Sequence, residues 1–260
     1  MKHMIKAVFL DFDGTLFSHR TEQIPDSTIE ALRMLQEKGI LVFLCTGRSL
    51  PEIHDFDLRG ATFFGKILLN GQVIYDKNDQ ILYHRPIDGE LKDRLLDLFS
   101  NRKVPIYFST DGGNYLNYVD DQVIYIQNAV SSDPPVLGSY QDENIYMATA
   151  FIGNQRQLEM IMSLRDIAEV TYWHAGACDI VPKGISKSIG INEALRIWNI
   201  DPSETLAIGD GENDVEMLKE CAIGIAMGNS FDGVKEYADY VTDDIDENGI
   251  YNALKHFKLI

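Results

Sequence analysis

Ile5-Lys6-Ala7-Val8-Phe9-Leu10 runs directly into Asp11-Phe12-Asp13-Gly14-Thr15-Leu16. The first six residues are apolar except for Lys6, the pattern of a strand covered on both faces. The next six place two carboxylates two residues apart, then a Gly that can turn the chain sharply. Such a pair at a strand end suits metal-assisted attack on phosphorus, with one carboxylate as nucleophile and the other moving a proton. A second acidic stretch, Gly209-Asp210-Gly211-Glu212-Asn213-Asp214, follows the apolar Leu206-Ala207-Ile208. Together the two stretches imply a phosphoryl-transfer site.

Strand and helix alternate on either side of these stretches. Ser27-Thr28-Ile29-Glu30 has the spacing of a capping box, and Ile29, Leu32 and Leu35 mark one face of a helix that stops at Gly39. Residues 40–45 predict a second buried strand, ending at Thr46-Gly47-Arg48. Residues 67–69 predict a third, ending at the turn signal Asn70-Gly71. In the last third, Ser186 can cap a helix with Ile191, Ala194, Leu195 and Trp198 on one side, and Asp201-Pro202 starts a turn. Residues 206–208, 223–227 and 240–241 read as further strands, and Val215, Met217 and Leu218 lie on a short helix between them. This rhythm predicts an α/β fold with a mostly parallel sheet.

The middle differs. Residues 106–109, 115–119, 145–152, 170–173 and 178–181 read as short alternating strands, with helices at 90–101 and 155–164 and a loop at Ser131-Ser132-Asp133-Pro134-Pro135. That pattern predicts an α+β insert with an antiparallel sheet, giving core residues 1–84 and 182–260 and an inserted domain at 85–181.

The net charge is 23 − 40 = −17, which repels nucleic acid and anionic membranes and makes both poor partners. Phosphate esters are repelled too, so a phosphate site here needs a metal and local cations. Cys45, Cys178 and Cys221 form no CxxC pair, which argues against zinc or a disulfide framework and suits a reducing cytoplasm. Cys45 fits a small core hydrophobe. No stretch nears the ~20 apolar residues of a membrane span, and no signal peptide or protein partner is evident.

Open α/β sheets bind ligands at the carboxyl ends of their strands. Four polar clusters fall there or at a helix start: Asp11/Asp13, Thr46-Gly47-Arg48, Ser186-Lys187 and Asp210–Asp214. Asp11 is the nucleophile candidate, and Asp13 is placed to protonate the leaving oxygen and then activate water. Asp11, Asp210 and the Asp13 carbonyl suit a magnesium ion, with Asp214 holding a metal-bound water. Thr46 and the Gly47 amide could take a phosphoryl oxygen. Arg48 could bind substrate or pair with an acid. Lys187 stands at a helix start, where the dipole disfavours a cation, so a neighbouring carboxylate or phosphate would explain it; Lys183 is its competitor. Asn213 could donate to the phosphoryl group or cap its helix. Tyr107, Tyr115, Tyr118 and Trp173 fit core positions.

Taken in order, Asp11-Phe12-Asp13-Gly14-Thr15-Leu16, Thr46-Gly47-Arg48, Lys187 and Gly209-Asp210-Gly211-Glu212-Asn213-Asp214 resemble the four motifs of the haloacid dehalogenase superfamily. With Asn70-Gly71 and Ala226-Met227-Gly228-Asn229, nearly the whole chain resembles the Cof-type phosphatases with a type-two (C2B) cap. Gly211 departs from the Ser often found at that position. The resemblance implies a Rossmann-like core, a cap that closes to exclude water and select substrate, and magnesium as cofactor. It further implies Asp11 as nucleophile, Asp13 as acid/base, and Thr46 and Lys187 as phosphate ligands. The expected activity is hydrolysis of small phosphate esters, first of all sugar phosphates, through an aspartyl-phosphate. A sugar phosphomutase or a non-catalytic phosphometabolite-binding protein is the alternative.

Overall fold

The computed structural model describes residues 4–129 and 135–260, so the loop expected at residues 131–135 lies, apart from Pro135, outside the described residues. In chain order, β1 (Ala7–Leu10), α1 (Asp26–Glu37), β2 (Leu41–Cys45), α2 (Leu50–His54), β3 (Gly65–Leu68), β4 (Val73–Asp76) and β5 (Ile81–His84) come first. Next are α3 (Gly89–Ser100), β6 (Ile106–Thr110), β7 (Tyr115–Leu116), α4 (Asp121–Ala129), β8 (Ile145–Phe151), α5 (Gln155–Met162), β9 (Ala168–His174) and β10 (Ala177–Pro182). The chain closes with α6 (Lys187–Trp198), β11 (Thr205–Gly209), α7 (Val215–Glu220), β12 (Ile223–Ala226), α8 (Asp232–Lys235), β13 (Tyr240–Val241) and α9 (Gly249–His256). Two compact units result: one runs through His84 and resumes at Ser186–Ile260, the other is Arg85–Ile185. The return to the first unit falls at 185/186 rather than at 181/182. One reason is that Lys183 and Gly184 stay bound to their own unit, their carbonyls accepting from the Arg85 guanidinium.

The first unit is built on an eight-stranded sheet ordered β13-β12-β11-β1-β2-β3-β4-β5. From β13 to β3 every neighbouring pair is parallel. β1 stands at the centre because its side chains are apolar on both faces and it can be covered twice. Val8 and Leu10 join a cluster with Leu32 and Leu35 of α1 and Leu254 of α9. Ala7 and Phe9 join another with Ile191 and Leu195 of α6, where Phe9 stacks on Phe43 at 4.9 Å. Each such side chain removed from water contributes about 1.5–3 kcal/mol. The strand order reverses at β1, so the crevice at its carboxyl end is the topological switch point of the sheet.

The second unit has a five-stranded antiparallel sheet ordered β7-β6-β8-β10-β9. One face packs on α3 and α5 through Phe108, Ala148 and Ile180 against Leu95 and Ile161. Part of the other is covered by α4, whose Val123 and Ile126 meet Phe151 and Ala177. The α/β core and the α+β insert therefore take the forms their periodicities predict.

Several local expectations fail for local reasons. There is no capping box at Ser27: α1 starts at Asp26 behind Pro25, whose ring fixes the entry φ at −59°, and the Ser27 hydroxyl is buried without a partner. The strand expected at residues 115–119 shrinks to Tyr115–Leu116, because the Asn117 side chain turns in to bind the Ile106 amide and the Phe99 and Val104 carbonyls. Antiparallel β4 and β5 extend the sheet beyond β3, and α4 is an added helix. Trp173 is not core: its side chain lies on the exposed part of β9, and its indole N–H donates to Asp179 Oδ1 at 3.2 Å.

Candidate active site

Three strand ends and one helix start build the site within the first unit. Leu10 on β1 pairs with Ile208 on β11, and the Asp11 N–H carries the ladder one step further by donating to the Ile208 carbonyl at 3.0 Å. Asp11 and Asp210 therefore leave adjacent strands side by side. Gly14 makes this closeness possible: its φ is +78°, and a Cβ there would stand 2.3 Å from Asp210 Oδ2. The Thr15 hydroxyl then donates to Asp210 Oδ1 at 2.8 Å.

Lys187 reaches the same point from the start of α6, where the Ser186 hydroxyl oxygen accepts from the Ile189 N–H at 3.4 Å. The turn at Asn70-Gly71 holds this start in place. Gly71 has φ +96° and lies so close that a Cβ would be 2.3 Å from the Ser186 carbonyl oxygen. The Lys187 ammonium donates to Asp11 Oδ1 at 2.5 Å and to Asp214 Oδ1 at 2.6 Å. Asp214 Oδ2 accepts from the Asp210 and Gly211 N–H groups, each at 2.9 Å. Three of the acceptor positions of Asp214 are thus taken, whereas Asp11 and Asp210 each keep more acceptor capacity.

Ligand atoms of Asp11, Asp210 and Asp214 all lie within 4.8 Å of one another. Three carboxylates against the single Lys187 ammonium leave a formal charge of −2, and Asp11, Lys187 and Asp214 are buried. Buried charge of that size needs a counter-charge, and a divalent cation supplies the missing amount. Hard oxygen donors suit magnesium, so the residues fit the ion the family implies. Titration follows the same imbalance. Burial, then the Asp214 charge, pushes the Asp11 carboxyl well above the usual carboxylate range. Burial, with the Asp214 charge adding, lifts Asp210 to about 6 despite the Thr15 bond. Burial works against the Lys187 ammonium, but the charges of Asp11 and Asp214 outweigh it and keep it protonated.

Asp13 faces different partners. Arg48 grips it with Nε to Oδ2 and Nη2 to Oδ1, both at 2.7 Å, and His19 Nε2 sits 2.8 Å from Oδ1. Phe56 backs the Arg48 guanidinium at 4.6 Å from its ring centre. Burial alone would raise the Asp13 carboxyl. The Arg48 bonds and charge, with His19, reverse that and hold it below the ordinary range. Thr46 is buried at the end of β2, its N–H donating to the Ile67 carbonyl at 3.0 Å and its hydroxyl oxygen accepting from the Arg48 N–H at 3.2 Å. Gly47 passes close to the Asn70 amide, and exposed Asn213 donates to Asn70 Oδ1 at 3.3 Å.

Asp11, Lys187, Asp210 and Asp214 therefore meet directly. Asp13, Thr46 and Gly47 are linked to them through the chain and through Arg48, and Asn213 through Asn70. Lys183 belongs to the other unit. His19 was not singled out from sequence, and Thr15 and Asn70 were quoted within motifs but given no role at the site. Thr15 follows directly from Gly14, but no local pattern marks His19, which meets Asp13 only after the Phe12–Phe17 turn closes.

Residues 8–254 match the family model for haloacid dehalogenase-like hydrolases. A Bacillus subtilis relative named "Putative phosphatase YkrA" is 31% identical over 98% of both chains. BT1666 of Bacteroides thetaiotaomicron, described among phosphatases of that superfamily, is 30% identical with a TM-score of 0.87, covering 99% of this chain and 97% of its own. The subclass IIB sugar phosphatase BT4131 is 33% identical with a TM-score of 0.79, covering 98% and 100%. The chain belongs to the haloacid dehalogenase-like hydrolases, of the Cof type, and it is a phosphatase.

Proposed function

We propose that this phosphatase is a magnesium-dependent phosphomonoesterase of small phosphorylated metabolites, sugar phosphates first, working through an aspartyl-phosphate on Asp11. The −2 cluster of Asp11, Asp210 and Asp214 around Lys187 carries this reading. Asp11, Asp210 and the Asp13 carbonyl would hold the ion, and Asp214 would support its hydration from behind them. When bound, the ion supplies positive charge against the phosphoryl oxygens.

An Asp11 oxygen attacks phosphorus in line while the bond to the ester oxygen breaks. Lys187, Thr46, the Gly47 amide and Asn213 bind the transferring group and offset its charge. Asp13 gives its proton to the departing alkoxide and then takes one from the water that cleaves the aspartyl-phosphate. Ionised Asp13, as Arg48 holds it, is the base form; the acid step requires substrate to draw Arg48 away. The sugar-phosphate preference rests on BT4131, whose printed description is sugar phosphatase. A cytoplasmic setting is supported by three free, buried cysteines, and among the described residues no helix is long and apolar enough to cross a membrane. The charge of −17 supports the exclusion of nucleic acid.

Asp11→Asn tests the nucleophile. Hydrolysis of p-nitrophenyl phosphate with Mg²⁺ falls by about 10⁴-fold or more while the circular dichroism spectrum is unchanged. Turnover close to wild type would remove Asp11 from the role.

A further inference from the structure

At the amino ends of β2 and β3, opposite the strand ends that carry Asp11 and Thr46, the first unit holds a cavity of about 680 Å³. Leu58 and Phe63 supply its apolar surface on the side of the sheet that carries Lys66. Among the described residues its basic lining is Lys66 and Lys77, with the His54 imidazole beside them. Among the described residues no Asp or Glu lines it, in a chain with 40 acidic residues against 23 Lys and Arg, although Asp79 reaches Lys66 and His54 from beside it. The volume falls within the ~300–1,000 Å³ of small-molecule sites, which combine apolar walls with few polar groups.

Lys66 is the unexpected member. On β3 it alternates with Ile67, which packs toward α6, and so shares the other face with Leu68, where the neighbouring strands present Val42, Leu44, Val8 and Leu10. Lys66 puts an ammonium on this otherwise apolar face, with a side chain only 10% exposed. Its one hydrogen-bond partner among the described residues is Asp79 Oδ1 at 2.5 Å, while the Asp76 carboxylate also feels its charge, and Asp79 sits 3.2 Å from His54 Nε2. An ammonium has three N–H donors, so two lack a protein acceptor there. Closing the β4–β5 turn through Asp79 would account for the ion pair, but not for a cavity with apolar walls and cationic polar groups beside it.

We propose that this cavity is a second ligand site, for a small organic monoanion with a carboxylate on an aromatic body. The two carboxylate oxygens take the two free Lys66 donors. The ring lies against Leu58 and Phe63, on the Lys66 side of the sheet. A phosphate dianion suits it less, because one ammonium already shared with Asp79 offers too little charge to offset two.

Titration of the full ¹⁵N-labelled chain with 2-naphthoate, in the presence of Mg²⁺, tests this by amide shift mapping. The expected result is saturable shifts in residues 53–66, with none at Asp11 or Asp210. Lys66→Met weakens binding about tenfold, and so does replacing the anion by neutral 2-naphthalenemethanol. Ala61→Trp, which fills the cavity and leaves the Lys66–Asp79 pair in place, abolishes it, and decides the matter should Lys66→Met fail to fold. The proposal is overturned by no saturable shift up to the solubility limit, by shifts confined to the carboxylate cluster, or by Ala61→Trp binding like wild type.

Discussion

Lys187 and Lys66 are both buried lysines of the same unit, both bonded to aspartate, at opposite ends of the same parallel strands. Lys187 stands among three carboxylates and cannot neutralise them, so its surroundings call for a further cation. Lys66 hydrogen-bonds a single carboxylate, that of one-third-exposed Asp79, with Asp76 adding only its charge, and keeps donors to spare. A buried lysine therefore does not by itself mark a phosphate site. The balance of charge around it decides which kind of ligand it can accept.

The comparison breaks most sharply on stability. Lys187→Met without divalent cation leaves buried Asp11 and Asp214 unpaired, and should cost about 3–5 kcal/mol in urea denaturation. Lys66→Met leaves only one-third-exposed Asp79, and should cost about 1 kcal/mol or less. Equal losses would show that the two lysines do the same structural job. Next comes Arg48→Ala. Arg48 holds the Asp13 carboxyl down, so its loss raises that carboxyl and moves to higher pH the basic limb of the kcat/KM profile, which reports loss of the proton Asp13 gives to the departing alkoxide. An unmoved limb would separate Asp13 from proton transfer. The smallest effect is the pH dependence of cation binding. Asp210, at about 6 in the ion-free protein, must lose its proton to bind a cation. Magnesium affinity measured by calorimetry should then hold above that pH and fall by up to about tenfold per unit below it. Affinity flat from pH 7 to 5 would exclude Asp210 as a ligand.

Much of this was legible in the sequence because the relevant signals are local. The unbroken apolar run Ala7–Leu10, β-branched and aromatic at its centre and ended by Asp11, fits a doubly covered strand, and the residues leaving such a strand lie on the sheet rim. The alternation around Ile145–Phe151 likewise marked the insert as a different kind of sheet. Unreadable features depended on contacts distant in sequence or on competition between local preferences. At Ser27 the hydroxyl was available as a cap, but Pro25 set the helix start first. Arg48 had two plausible partners until folding placed it on Asp13, 35 residues away. His19 and Lys66 had no pattern at all: the first gains meaning from a turn closing beside Asp13, the second from the face of β3 it occupies.

A crystal structure with Mg²⁺ and orthovanadate tests the central claim most directly. The account predicts vanadium bonded to an Asp11 oxygen, Lys187 and Thr46 on the vanadate oxygens, and one metal bridging Asp11 and Asp210. Vanadate bound away from Asp11, or a metal that leaves Asp210 unliganded, would contradict it.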